Sequence, residues 1–182
     1  SMNRLFASDL SYVAIDCRSR MVNSAHPIDW VASTGWPFKK ITGCILANEL
    51  LDAMPIHRIT VHKDRLREVY VSLGPKGNFE ERLGDISTTD LTDRLSLIGM
   101  EPKEGQTIEI NLAQAKWLQH VSESLESGYL LLIDYGYEAG EYFGADRKNG
   151  TLHCYYRHTM NTNPYQHIGM QDIGAHVEFT SV

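Results

Sequence analysis

Asn48, Glu49 and Asp52 stand just past a short apolar run in "GCILANELLDAMPIHRI" (43–59). An amide and two carboxylates can hold a cation, or accept hydrogen bonds from hydroxyl or guanidinium donors. Positions three apart share one helix face, so Glu49 and Asp52 repel unless a cation or donor sits between them. Two more acids end apolar runs: Asp16 closes "YVAID" (12–16), and Asp134 closes "YLLLID" (129–134), with Tyr135 and Gly136 next. In open α/β sheets, ligands bind outside the carboxyl ends of the strands. Three acidic strand ends would then make one polar rim. Helix caps and first turns favour the same residue types, so Asp16 alone has an equally good structural reading.

Other reactive groups carry less. Tyr155, Tyr156, Arg157 and His158 in "CYYRH" (154–158) could line a substrate channel, although strand packing explains the two tyrosines as well. His153, Cys154, His158, His167 and His176 gather imidazoles and a thiol toward the end of the chain. They lack H-x3-H or C-x-x-C spacing, and adjacent strand residues point to opposite faces, so no metal site is expected. Neither a G-x-S-x-G turn nor a P-loop occurs, which removes serine hydrolases and P-loop kinases from consideration.

The composition of the 182 residues is that of a globular chain, 42% hydrophobic and 22% charged. A net charge of −6 argues against charge-driven binding to nucleic acid or anionic membranes. The apolar run Tyr129–Ile133 is far too short to span a bilayer. Cys17, Cys44 and Cys154 are odd in number and far apart, as expected of structural thiols in a reducing compartment. Ser1-Met2 has the look of a tag-cleavage scar and is set apart from the domain, 3–182.

These side chains need elements to hold them. "YVAIDC" (12–17) and "GCILANE" (43–49) predict buried parallel strands, because they are apolar rather than alternating. "IHRITVHKDRLREVYVSL" (56–73) alternates around a charged turn at Lys63-Asp64-Arg65 and predicts a hairpin with one wet face. Its charged face could dock a protein substrate. "TTDLTDRLSLIGM" (88–100) has a Thr cap and Leu91, Leu95 and Ile98 at helical spacing. After "TIEI" (107–110), Asn111 caps a second helix striped by Leu118, Val121 and Leu125, with Gly128 expected to end it. "YLLLIDYG" (129–136) and "AHVEFT" (175–180) are the last predicted strands. Strand–helix–strand order indicates an α/β fold.

The segments "ANELLDAMPIHRI", "LREVYV", "GYLLLIDYGY", "GTLHCYYRH", "NPY" and "QDIGAHVEFT" resemble, in this order, the MidA-like S-adenosylmethionine-dependent methyltransferases. That group includes the mitochondrial complex I assembly methyltransferase and bacterial relatives. The resemblance runs over about residues 8–182. It implies a class I, Rossmann-like methyltransferase fold with a mostly parallel sheet, carrying 56–105 as an inserted hairpin and helix. It also implies S-adenosylmethionine as methyl donor and arginine N-methylation of a protein substrate, such as a respiratory-complex subunit. By resemblance, Asp16 holds the cofactor ribose, and Asn48, Glu49 and Asp52 lie beside the transferred methyl, the first two also touching cofactor. Asp134, Tyr135, Gly136, Tyr156, Arg157 and His158 are then expected on the substrate side. A bacterial cytoplasm is expected, or a mitochondrial matrix if the source is eukaryotic. The rival reading is a non-catalytic interaction module.

The sequence departs from the family pattern in one large way. No G-x-G precedes Asp16, and by the family pattern "RLFASDL" (4–10) is expected to belong to the helix that follows the glycine-rich cofactor loop. The fold expected is therefore partial, lacking the first strand of the sheet. That strand lies between the strands at 12–17 and 43–48, so its lack leaves two open edges. Either those strands meet directly, or the edges pair with another chain. Weak cofactor binding is expected as well.

Overall fold

The computed structural model describes residues 11–18, 28–144 and 146–182. The expected helix at 4–10 and the scar at 1–2 lie outside them. The chain runs β1 (Val13–Asp16), β2 (Asp29–Ala32), β3 (Ile41–Asn48), β4 (His57–His62), β5 (Arg65–Leu73), β6 (Phe79–Gly84) and α1 (Thr89–Ile98). It continues with β7 (Thr107–Ile110), α2 (Leu112–Ser124), β8 (Leu125–Ile133), β9 (Gly136–Tyr137), α3 (Ala139–Tyr142), β10 (His153–Tyr156), β11 (Thr159–Asn161), β12 (Asp172–Gly174), β13 (Val177–Glu178) and a closing 3-10 turn, Phe179–Ser181.

Parallel pairing is confined to two-stranded units: β1 with β2, β3 with β8, and β9 with β13. The largest sheet, β6-β5-β4-β7, is antiparallel, as is β11-β10-β12. The expectation of a mostly parallel sheet is thus corrected. Tight turns after residues 62 and 73 fold the chain back on itself, and such turns can join only antiparallel strands. Of the two alternatives for the strands at 12–17 and 43–48, direct pairing does not form. β1 takes β2 as its partner and β3 takes β8.

Local signals place the helices. Thr88 accepts a hydrogen bond from the Asp90 N–H, and Gly99 closes α1 in a left-handed conformation, φ +71. Asn111 Oδ1 accepts from the Gln114 N–H at 2.8 Å and starts α2. Gly128 does not end α2. The helix passes straight into β8 at Leu125, and Gly128 sits within the strand at φ +137, facing Gly43 at φ +152. A Cβ on Gly128 would lie 1.8 Å from the Gly43 carbonyl oxygen, so glycine permits this close approach. "AHVEFT" likewise yields only a two-residue strand before the 3-10 turn.

The largest core lies beneath the antiparallel sheet. Ile59, Ile108 and Ile110 pack with Leu91 and Leu95 of α1 and with Ala139, Tyr142 and Phe143 around α3. The tip of the β4–β5 hairpin is held from a distance: Glu104 accepts from the N–H groups of Lys63 (2.9 Å) and Asp64 (3.0 Å), both left-handed residues. The β3–β8 pair is covered less completely. Ile45 and Ala47 are buried, whereas Leu46, Tyr129, Leu131 and Ile133 are exposed. No helix among the described residues is long and apolar enough to cross a membrane.

Candidate active site

β3 and β8 run parallel and finish together, with Asn48 opposite Ile133. The Glu49 N–H donates to the Ile133 carbonyl at 2.8 Å and extends the ladder by one bond. The chain then turns sharply, because Glu49 is left-handed at φ +47. That conformation costs a non-glycine residue about 1–3 kcal/mol and persists where its surroundings fix it. Asp134 does the fixing. Its Oδ2 accepts from the N–H groups of Leu50 (3.1 Å), Leu51 (2.9 Å) and Asp52 (3.3 Å), and its Oδ1 from its neighbour Tyr135 at 2.9 Å.

Two further segments are tied to the same turn. Leu51 is 1% exposed, and its carbonyl accepts from Asn111 Nδ2 at 3.1 Å, so the α2 cap also grips the turn. The Asp52 carbonyl accepts from the Ala175 N–H at 3.0 Å, which attaches the β12–β13 segment. On this frame the Asn48 and Glu49 side chains are exposed, and Asp52 is half-buried. The Asp52 carboxyl is pushed above the usual carboxylate range, by burial first and then by the Asp134 and Glu49 carboxylates. The His153 imidazole and the Ala53 N–H pull it the other way. Carboxylates crowded at a solvent-facing mouth favour a cationic ligand.

Asn48, Glu49, Asp52 and Asp134 therefore form one cluster. Asp16 ends β1 on the separate β1–β2 sheet, where its Oδ1 accepts from the Arg18 N–H at 3.1 Å. Tyr135 is exposed. Gly136 owes its identity to packing, since a Cβ there would sit 2.1 Å from the Val177 carbonyl oxygen. Tyr156 stacks on His167 with ring centroids 3.9 Å apart, and the Arg157 guanidinium lies 5.2 Å from the Tyr156 centroid. Arg157 and His158 are the two left-handed residues of the β10–β11 turn, at φ +49 and +63. Asn-Gly is the usual pair in such turns. Among the described residues no hydrogen bond or ion pair ties this stack to the acids.

Two histidines weighed in the sequence only as metal ligands also lie here. His153 and His176 stand beside the acid cluster with ring centroids 4.9 Å apart. Their approach depends on β10 pairing with β12, which places His153 opposite Gly174. No motif spacing signals such a pairing. Burial, with His153 and Arg147 nearby, holds His176 below its ordinary value despite Asp134. No group of three or more His, Cys, Asp or Glu among the described residues is arranged to hold a metal ion.

A family described as "Putative S-adenosyl-L-methionine-dependent methyltransferase" matches residues 7–182. Among solved structures, a COG1565 superfamily member "and likely methyl transferase" from Burkholderia thailandensis, bound to S-adenosyl-homocysteine, is 32% identical with a TM-score of 0.76. The similarity covers 85% of this chain and 38% of that one. An uncharacterized COG1565 superfamily protein from the same organism is also 32% identical, with a TM-score of 0.77, covering 85% of this chain and 40% of its own. The chain thus spans about two fifths of the length of these structures. No curated protein matches it. A match over 7–182 that agrees with the fold shows that the chain belongs to this S-adenosyl-L-methionine-dependent methyltransferase family.

Proposed function

We propose that the protein is a MidA-like methyltransferase that uses S-adenosylmethionine to methylate an arginine nitrogen of a protein substrate. The observation that carries this reading is the carboxylate cluster at the joint end of β3 and β8, with Glu49 exposed on a strained turn and Asp52 half-buried behind it. A guanidinium is planar, permanently charged, and pairs with carboxylates in a fork. Glu49 and Asp52 offer that pairing and hold the acceptor nitrogen in line for attack. Such positioning can supply about 7–11 kcal/mol of a barrier.

The residues present suit part of the cofactor. A carboxylate beyond a parallel strand, as at Asp16, can accept both hydroxyls of a ribose diol. Hydrogen bonds to a charged group contribute roughly 1.5–3 kcal/mol each. Asn48 ends β3 and Glu49 follows it, on the route from ribose to acceptor in this reading. S-adenosylmethionine, when bound, supplies an electrophilic methyl group on sulfur. The Burkholderia structure bound to S-adenosyl-homocysteine supports this assignment by its similarity.

Calorimetry with S-adenosylmethionine, followed by methyl transfer to arginine peptides, tests the proposal. Glu49→Gln is expected to slow transfer by about 100-fold, the cost of losing one positioned group. An unchanged rate overturns its role. The second reading, a non-catalytic interaction module, draws on the exposed Val71, Leu73, Phe79 and Leu83 of the β5–β6 hairpin. It gains if cofactor does not bind while a protein partner does.

A further inference from the structure

We infer that Gln114 and His176 share an internal binding site for one water molecule, and that this water joins the two segments holding the acid-bearing turn at 49–52. The inference is independent of the methyltransferase reading. It starts from two polar atoms. Gln114 is 3% exposed, and its Nε2 is buried with no hydrogen-bond partner in the protein. His176 Nδ1 is buried and unpartnered in the same way. Buried polar atoms are costly to leave unsatisfied, so such a pair calls for a partner.

Both residues line one cavity of about 20 Å³, together with Ile98, Ile110, Phe143 and Glu178. A buried water needs about 10–15 Å³ and roughly two to four polar partners. The cavity therefore takes one water and is too small for a guanidinium or a ribose. The chemistry of its walls selects water over an apolar occupant. An amide nitrogen only donates, and an imidazole nitrogen donates or accepts according to its tautomer, so the two atoms need a partner that can do both. Glu178 offers a further acceptor. Its oxygens receive the Thr180 N–H at 2.7 Å and the Ser181 hydroxyl, and a carboxylate has about four lone-pair sites. Glu109 also lines the cavity, but its unpartnered Oε1 lies 3.9 Å from Arg58 Nε, itself unpartnered.

The two walls are fixed separately. Gln114 stands in the first turn of α2, where its N–H donates to Asn111 Oδ1 at 2.8 Å. The His176 N–H donates to Thr151 Oγ1 at 3.1 Å, and its ring packs edge-on to Tyr137 with centroids 5.1 Å apart. Each wall also grips the turn. Asn111 Nδ2 donates to the Leu51 carbonyl at 3.1 Å, and Ala175, next to His176, donates its N–H to the Asp52 carbonyl at 3.0 Å. A water bonded to Gln114 and His176 closes this ring of contacts, from Asn111 through the turn to Ala175 and back. Gln114 is then a positioning residue for the acids, although it touches none of them.

Two experiments on the 182-residue chain test this. A crystal structure of the wild type is expected to show one water within hydrogen-bond distance of both Gln114 Nε2 and His176 Nδ1. A dry cavity, or a Gln114 amide that bonds directly to a protein acceptor, overturns the inference. Gln114→Met keeps the length and packing of the side chain but removes its donor. In this variant amide exchange at Leu51 and Ala175 is expected to quicken about 5-fold or more, the effect of one lost buried hydrogen bond. Exchange in β4–β7 is expected to match wild type. Unchanged rates at Leu51 and Ala175 show that Gln114 only packs, and an equal rise at every amide shows a general loss of stability; either result overturns the link to the turn. If Gln114→Met does not fold, the wild-type crystal structure decides alone.

Discussion

Asp134 lends itself to two readings by type and place: a ligand for substrate or a clamp for backbone. The structure commits its oxygens to four N–H groups around the 49–52 turn. Asp134→Ala leaves the three donors of that turn without their acceptor, which costs about 1–3 kcal/mol each if they stay buried. Faster hydrogen exchange at Leu50, Leu51 and Asp52 is the expected result, with exchange in β4–β7 unaltered. Glu68 is a residue whose importance alternation in "REVYV" could not show. It is 5% exposed and accepts from His57 Nδ1 at 2.7 Å, the Ser87 N–H at 2.7 Å and the Tyr70 hydroxyl at 3.1 Å. Burial alone would raise its pKa, but these donors outweigh burial and hold it below 4.5. Its stabilising contribution is therefore complete above the unfolded value near 4.5 and is lost as pH falls through the lower folded value. Glu68→Gln should cost about 1–3 kcal/mol in urea unfolding at pH 7. The difference from wild type should shrink as pH falls below the ordinary carboxylate range.

At the level of elements, the sequence was most readable where one residue carries the signal. Thr88 and Asn111 do their predicted capping, since a cap is a local hydrogen-bonding event. Strand partners are a different matter, because they are chosen across the fold. "TIEI" is plainly a strand, but nothing in it says that it joins the hairpin sheet antiparallel to β4. "DWVA" is too short to stand out, yet it is the partner of β1. Gly128 shows how a single residue misleads: it has the type that ends helices, but it serves a strand-to-strand approach to Gly43. Gly128→Ala should therefore weaken β3–β8 rather than lengthen α2. A loss of at least about 1 kcal/mol is expected from the backbone conformation alone. Circular dichroism should show helix content unchanged.

Across the whole molecule, the apolar character of β3 and β8 exceeds what the structure covers. Such runs belong to strands buried on both faces, yet Leu46 is 54% and Tyr129 80% exposed. Among the described residues β1 and β3 each pair on one side alone, and Tyr12, Val13 and Ile15 are exposed beside β1's ladder. Open apolar edges template pairing with other chains. The 182-residue chain is expected to self-associate at micromolar concentration, with light-scattering mass rising as concentration rises. A constant monomer mass would refute this. The acids at the strand ends were legible from the sequence because composition changes abruptly there. Their assembly with His153 was not, since it depends on three sheets meeting at one turn.

The grip of Asp134 on the turn has a consequence for tolerance to change. It recognises amide hydrogens and ignores side chains, and Leu50, 37% exposed, contributes only its amide. A saturation library at position 50 should accept nearly every amino acid and reject proline, which has no amide hydrogen to offer. Variation can therefore accumulate at the rim of the pocket while its scaffold stays put.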